Sequence, residues 1–282
     1  MDKTEILLEY VKAKDVVFGS IKSAAQISKL FEGLEKSIAL QLIIDASGSM
    51  HRRFISMRHS LVQFIQFIES GVSFLKPGVK IYLNVVYFNC DVGQVFPAIT
   101  RSDESGDIEG YGFSEVTEGS ADAVNSKFPH RAAGGTYMAH ALELCKNKIW
   151  VNTPDGLEPY VILMTDGQPN DTINGIMKID VAKTSIIQKY GKQISLCVGI
   201  GTTRDYDIDF LTNLSLQAPT IAVGTNEIVD TIRECFLNMT TENEPKDCCL
   251  MLDKEQVELP KSDGLVWTET DTHYQLDLGK IT

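Results

Sequence analysis

The stretch Ile43-Ile44-Asp45-Ala46-Ser47-Gly48-Ser49 decides how this chain is read. Residues 42–44 are apolar and read as a buried strand, and the glycine and serines after Asp45 predict a tight loop at its carboxyl end. One carboxylate and two hydroxyls stand at every second position. Oxygen donors with no histidine or thiolate among them suit a hard divalent cation: Mg²⁺, Mn²⁺ or Ca²⁺. Three oxygens do not complete a coordination shell, so the remaining ligands must come from elsewhere in the chain.

Around this run the chain alternates strand and helix. The first strand is predicted over 38–45. Phe54, Met57, Leu61, Phe64, Ile65 and Ile68 recur at three- and four-residue intervals, which predicts an amphipathic helix over 54–75. Residues 80–89 read as a second strand. Residues 92–100 follow after so short a link that they suit a hairpin, hence an antiparallel edge strand, and Pro97 favours the same position. The polar, Gly- and acid-rich segment 101–128 reads as a loop or insertion ending in a short helix. Further helices are predicted over 137–151, 173–190, 210–216 and 227–239, with strands over 160–165, 193–200 and 220–223.

Apolar strands alternating with crossover helices predict an α/β fold: a Rossmann-like, doubly wound, mostly parallel sheet with one antiparallel edge strand and helices on both faces. Three segments follow. Residues 1–37 form an N-terminal extension with an amphipathic helix near 20–36, residues 38–240 the main domain, and residues 241–282 a C-terminal extension of short β strands.

Composition bounds the function. The chain has 282 residues, 43% hydrophobic and 23% charged, as an ordinary globular protein does. Its net charge of −12 argues against nucleic acid and anionic membrane as partners, because basic patches carry affinity for both. The acidic start Met-Asp-Lys-Thr-Glu lacks the basic and apolar regions of a signal peptide, and no run reaches the roughly 18 apolar residues of a membrane span. Cys90, Cys145 and Cys197 fall in apolar or helical stretches that suit reduced, buried thiols, and the adjacent Cys248 and Cys249 are not spaced for zinc. The expected location is the cytoplasm.

In an open doubly wound sheet, ligands bind where the strand order reverses, at the carboxyl ends of the strands. Asp45–Ser49 ends the first strand. Thr165-Asp166-Gly167 ends the strand expected beside it, and Gly134-Gly135-Thr136 precedes the helix at 137. Asp45, Ser47, Ser49, Thr136 and Asp166 thus form a five-oxygen set suited to octahedral Mg²⁺. In this order and spacing, D-x-S-G-S, G-G-T and T-D-G resemble the metal-ion-dependent adhesion site (MIDAS) of von Willebrand factor A (VWA) domains, with all five positions matched over about 38–240. The resemblance implies direct metal contact for Ser47 and Ser49, contact largely through water for Asp45 and Asp166, and either mode for Thr136. It also implies a non-enzymatic interaction module, whose open metal position takes an Asp or Glu of a protein partner. The local forms DASGSM, TDGQPND and Gly199-Ile200-Gly201 look most like intracellular bacterial VWA proteins of the tellurite-resistance, TerY-like type.

Two competing functions stand beside this one. An Asp after a first strand together with Mg²⁺ also describes haloacid-dehalogenase-like phosphoryl-transfer enzymes. Those need an acid two residues after the nucleophile, and here that residue is Ser47. The chain also suits a structural part of a larger assembly, docked through residues 1–37 or 241–282. His51, Arg52 and Arg53 read either as a basic collar that steers an acidic partner or as a solvated helical turn. Asp103, Glu104, Asp107 and Glu109 read either as a second cation site or as a solvated loop, Asp171 as a helix N-cap, and His130 and Arg131 either as ligand contacts or as loop surface.

Overall fold

The computed structural model describes residues 8–11, 16–19, 31–101, 108–170, 179–201, 205–222, 247–253, 267–269 and 273–280. The chain divides into two compact units, Met1–Thr240 and Thr241–Thr282. In the first unit the described strands are β1 (Leu8–Val11), β2 (Val16–Gly19), β3 (Ile38–Asp45), β4 (Ile81–Phe88), β5 (Val92–Phe96), β6 (Thr100–Arg101), β7 (Ile108–Glu109), β8 (Ser114–Glu115), β9 (Pro159–Thr165), β10 (Leu196–Ile200) and β11 (Thr220–Ala222). The longer α-helices among the described residues are α1 (Phe54–Val72), α2 (Ser120–Lys127), α3 (Met138–Leu144), α4 (Ile179–Tyr190) and α5 (Ile208–Leu214).

The main sheet runs β11-β10-β9-β3-β4-β5. From β11 to β4 every pairing is parallel, while β5 pairs antiparallel with β4 at the sheet edge, as its short link demands. The short β8 adds a second antiparallel pairing to β4 that the sequence does not predict. The chain passes from β3 to β4, then returns to lay β9 on the other side of β3. The strand order therefore reverses between β3 and β9, where the doubly wound topology opens a crevice.

Side-chain alternation along β3 feeds two cores. Leu40, Leu42 and Ile44 pack with Phe54, Met57, Leu61, Phe64, Ile65 and Ile68 of α1. Ile43 packs on the other face with Met138 and Leu142 of α3, Ile186 of α4 and Phe210 of α5. Burial of large apolar side chains, each worth about 1.5–3 kcal/mol, holds α1 in place without a side-chain cap, since Arg53 at its N-cap makes none. The guanidinium of Arg53 is engaged elsewhere.

The β3 face toward α3 also carries Gln41, fully buried. Its amide donates to Asn84 Oδ1 at 2.9 Å and to Cys145 Sγ at 3.2 Å, and its carbonyl accepts the indole N–H of Trp150. Asn84 in turn donates to the carbonyl of Gly112 at 2.6 Å. These bonds satisfy polar groups that would otherwise cost about 1–3 kcal/mol each.

Residues 1–37, expected to be helical, include the antiparallel pair β1–β2. Runs of four residues are too short for a periodicity test, and Tyr10, Val11, Val16, Val17 and Phe18 favour extended backbone. Of the predicted helix near 20–36, residues 31–36 are described: Phe31 and Glu32 are helical, while 33–36 form a turn and irregular backbone leading into β3. The helix predicted over 227–239, Asp171, Asp103, Glu104, Asp107 and Cys235 lie outside the described residues. The second unit holds β12 (Asp247–Asp253), β13 (Trp267–Glu269) and β14 (His273–Lys280), an antiparallel sheet in the order β12-β14-β13. No helix among the described residues is long and apolar enough to cross a membrane.

Candidate metal site

Asp45 is the last residue of β3 and is fully buried. Its Oδ1 accepts the backbone N–H of Ser47 at 2.8 Å, which closes the turn after the strand. Its Oδ2 accepts the hydroxyl of Thr165, the last residue of β9, at 2.6 Å. One carboxylate thus ties the two strand ends of the crevice together. The loop continues so that Ser47 Oγ lies 2.9 Å from Ser49 Oγ, and Ser49 Oγ donates to Asp166 Oδ1 at 2.8 Å.

The third loop docks by backbone bonds. Ala133 N–H donates to the Ala46 carbonyl at 3.0 Å, and Gly48 N–H donates to the Gly134 carbonyl at 3.0 Å. Gly134 has φ +77°, a left-handed backbone that favours glycine, and a Cβ there would stand 2.7 Å from Cys90 Sγ. Next along, Gly135 N–H donates to that sulfur at 2.8 Å. Thr136 N–H donates to Asn170 Oδ1 at 2.6 Å, and Asn170 N–H donates back to the Thr136 carbonyl at 3.1 Å. Asn170 therefore joins the Thr136 loop to the Asp166 loop.

Gly167 measures how closely these groups converge. A Cβ built on it would lie 3.3 Å from Ser49 Oγ, 3.6 Å from Thr136 Oγ1 and 3.7 Å from Asp45 Oδ2. Three oxygens from two loops face one small space that a glycine of the third loop leaves open. With Ser47 and Asp166 bonded into the same set, the five residues singled out in the sequence are brought together. The donors are carboxylate and hydroxyl oxygens, the chemistry a hard divalent cation requires. Among the described residues no group of three or more His, Cys, Asp or Glu side chains is placed to hold a metal ion by itself. A site here relies on hydroxyls.

Burial dominates the electrostatics of the two carboxylates. Burial pushes the Asp45 carboxyl up to about 6, against the hydrogen bonds from Ser47 and Thr165 that pull it down. Burial also raises Asp166, opposed by the Ser49 hydroxyl and by Arg53. The site opens into a cleft of about 450 Å³ lined by Ser49, Arg53, Thr136, Asp166, Asn170 and Asp205 among others.

Three contributors escape a reading of the sequence. Asn170 bonds a residue 34 positions away. Cys90, expected to be buried, is exposed, because it falls in the turn after β4, where Asn89 N–H bonds the Asp91 carbonyl. Cys145 and Cys197 are buried as expected, and burial pushes their thiols up, Cys197 to about 12. Asp205 follows β10 and pairs with Arg53 at 2.9 Å, while Arg53 also stands 3.5 Å from Asp166. Its neighbours His51 and Arg52 are exposed, as are His130 and Arg131. An aspartate just past a strand's carboxyl end was the available sign for Asp205.

No protein-family model matches this sequence, and no curated protein matches it. Solved structures do resemble it. A von Willebrand factor type A protein from Catenulispora acidiphila matches with TM-score 0.53 at 19% identity, covering 87% of this chain and 56% of that one. The pilus adhesin SpaC from Lactobacillus rhamnosus GG, in its open conformation, matches with TM-score 0.52 at 13% identity, covering 87% of this chain and 37% of that one. This chain thus spans little more than half of the first and little more than a third of the second. The sheet order, its antiparallel edge and these likenesses agree: the chain has the fold of von Willebrand factor A domains.

Proposed function

We propose that residues 38–240 belong to the VWA family and carry a working MIDAS. In this reading Asp45, Ser47, Ser49, Thr136 and Asp166 hold a divalent cation, Mg²⁺ in the cell, and the protein binds an Asp or Glu side chain of a protein partner there. What supports it is the convergence of three loops on the space beside Gly167. The cation supplies an electron-poor centre for an incoming carboxylate oxygen. The chain's own residues do the rest. Ser47, Ser49 and Thr136 offer neutral oxygens, while Asp45 and Asp166 provide charge and are held in place by Thr165, the Ser47 amide and Ser49.

The role is recognition without catalysis. A phosphoryl-transfer reading needs an acid at the position of Ser47, whose hydroxyl cannot protonate a leaving group at neutral pH. We place the protein in the cytoplasm, in an assembly or stress-response system of the tellurite-resistance type, with 1–37 and 241–282 as extensions to the domain. The test is capture of partners from the native cell with and without EDTA, using wild type and Asp45→Asn. Partners lost on chelation and lost with the variant are expected. A partner retained equally under all conditions refutes recognition through a metal.

A further inference from the structure

Arg53 is built into the site without belonging to the five-oxygen set. Its backbone is fixed at the foot of α1, with its N–H donating to the Met50 carbonyl and its own carbonyl accepting Met57 N–H, both at 2.8 Å. Its guanidinium reaches between two carboxylates that differ in grip. Nη2 meets Asp205 Oδ2 at 2.9 Å, a full charge-assisted hydrogen bond, whereas Nη1 stands 3.5 Å from Asp166 Oδ2, beyond that range. Gly201, at φ +119°, makes the seat. A Cβ there would lie 2.8 Å from Arg53 Cζ and 2.8 Å from Asp205 Oδ2, so bare backbone leaves the pair room for this arrangement. Arg53 is thus held at the rim by β10's loop and leans on Asp166 only loosely.

Two consequences follow from charge and geometry. A guanidinium has five N–H donors, and the hydrogen bond to Asp205 engages one of them. The side chain is 28% exposed and lines the same cleft as Ser49, Thr136 and Asp166. A carboxylate entering that cleft brings two oxygens, of which a cation held among the hydroxyls would take one. The second would then be available to Arg53, whose planar fork fits carboxylate oxygens. Meanwhile a fixed positive charge 3.5 Å from Asp166 opposes a second cation at the same carboxylate. Asp45, Asp166 and Asp205 against Arg53 leave two negative charges, the complement of one divalent ion.

We propose that Arg53 is a specificity-determining residue of this site: it receives the second oxygen of the partner's carboxylate, and it weakens binding of the bare cation. The proposal rests on the metal reading above. Because the two effects have opposite sign, they separate from a structural role, in which loss of Arg53 would loosen the loops and weaken both. The full chain is loaded with Mn²⁺ as the probe metal. Its affinity is read from the electron paramagnetic resonance of free Mn²⁺, and binding of ¹³C-acetate from its paramagnetic relaxation. Arg53→Gln is expected to bind Mn²⁺ more tightly than wild type, by up to about tenfold, and to bind acetate on the loaded site about tenfold more weakly. Arg53→Lys, which keeps the charge and loses the fork, is expected to restore the wild-type Mn²⁺ affinity and only part of the acetate affinity. Parallel losses of Mn²⁺ and acetate in Arg53→Gln, or an unchanged acetate affinity, overturn the proposal. Failure of wild type to bind Mn²⁺ at all instead overturns the metal reading and this proposal with it.

Discussion

Replacing Asp45 by asparagine is expected to stabilise the metal-free protein at neutral pH while abolishing its response to metal. The carboxyl is fully buried, and burial lifts its pKa from 3.8 to about 6. The folded chain therefore holds this proton more tightly than the unfolded chain does. Stability falls as pH rises between 3.8 and about 6 and stays lowered above it. That displacement corresponds to about 3 kcal/mol against the metal-free fold at neutral pH. Asparagine removes the charge and keeps the shape. Its carbonyl can accept Ser47 N–H as Oδ1 does, and its amide can donate to Thr165 Oγ1, whose own hydroxyl then turns to the Gly167 carbonyl at 3.3 Å.

The assay is unfolding in EDTA, by heat or urea, from about pH 7 down to about pH 4. At neutral pH the variant should exceed wild type by up to about 3 kcal/mol, or about 5–10 °C for a domain of this size. The gap should close toward the acid end, where wild-type Asp45 is protonated too. Mg²⁺ at a hundred times its Kd should then return about 2.7 kcal/mol to wild type and nothing to the variant. A variant no more stable than wild type in EDTA, or a gap independent of pH, refutes the reasoning.

Two glycines test the site's geometry in opposite ways. Gly167→Ala puts a methyl into the space faced by Ser49, Thr136 and Asp45, with 3.3 Å as its shortest contact. Calorimetric Mn²⁺ titration should show at least about a tenfold loss of affinity, while stability in EDTA stays within about 1 kcal/mol of wild type. Gly134→Ala instead forces a left-handed backbone on alanine and sets its Cβ 2.7 Å from Cys90 Sγ. Urea unfolding should show a loss of about 2–4 kcal/mol, metal present or not.

The site was legible in the sequence because each of its oxygens lies at or just beyond the end of a strand, or just before a helix. Apolar alternation marked β3 and β9, and the rule that ligands gather where strand order reverses joined them. What escaped depends on loops that meet only in three dimensions. Nothing near Asn170 announces Thr136, and nothing near Arg53 announces Asp205, 152 positions away. Arg53 lay in a basic run, which local chemistry alone leaves open between collar and solvated turn. The two-residue β8 and the four-residue β1 and β2 are too short to carry a period. Gln41 and Asn84 lie within runs read as plain strand, and their role rests on Trp150 and Gly112.

The balance of hydroxyls and carboxylates fits the proposed role in recognition. Each buried carboxylate destabilises the metal-free fold, and Asp45 already does so by about 3 kcal/mol at neutral pH. A third buried carboxylate in place of Ser47 or Ser49 would add to that penalty and would also neutralise a bound cation more fully. Serine hydroxyls fill coordination positions with no charge. A divalent ion held by them and by two carboxylates remains attractive to a further anion, and the carboxylates are restrained by Thr165, Ser49 and backbone donors. Asp205 lies at the rim, where its charge is spent on Arg53. Neutral hydroxyls that limit buried charge in the empty fold would thus leave a bound cation open to one more oxygen ligand, which is what the proposed grip on a partner's carboxylate requires.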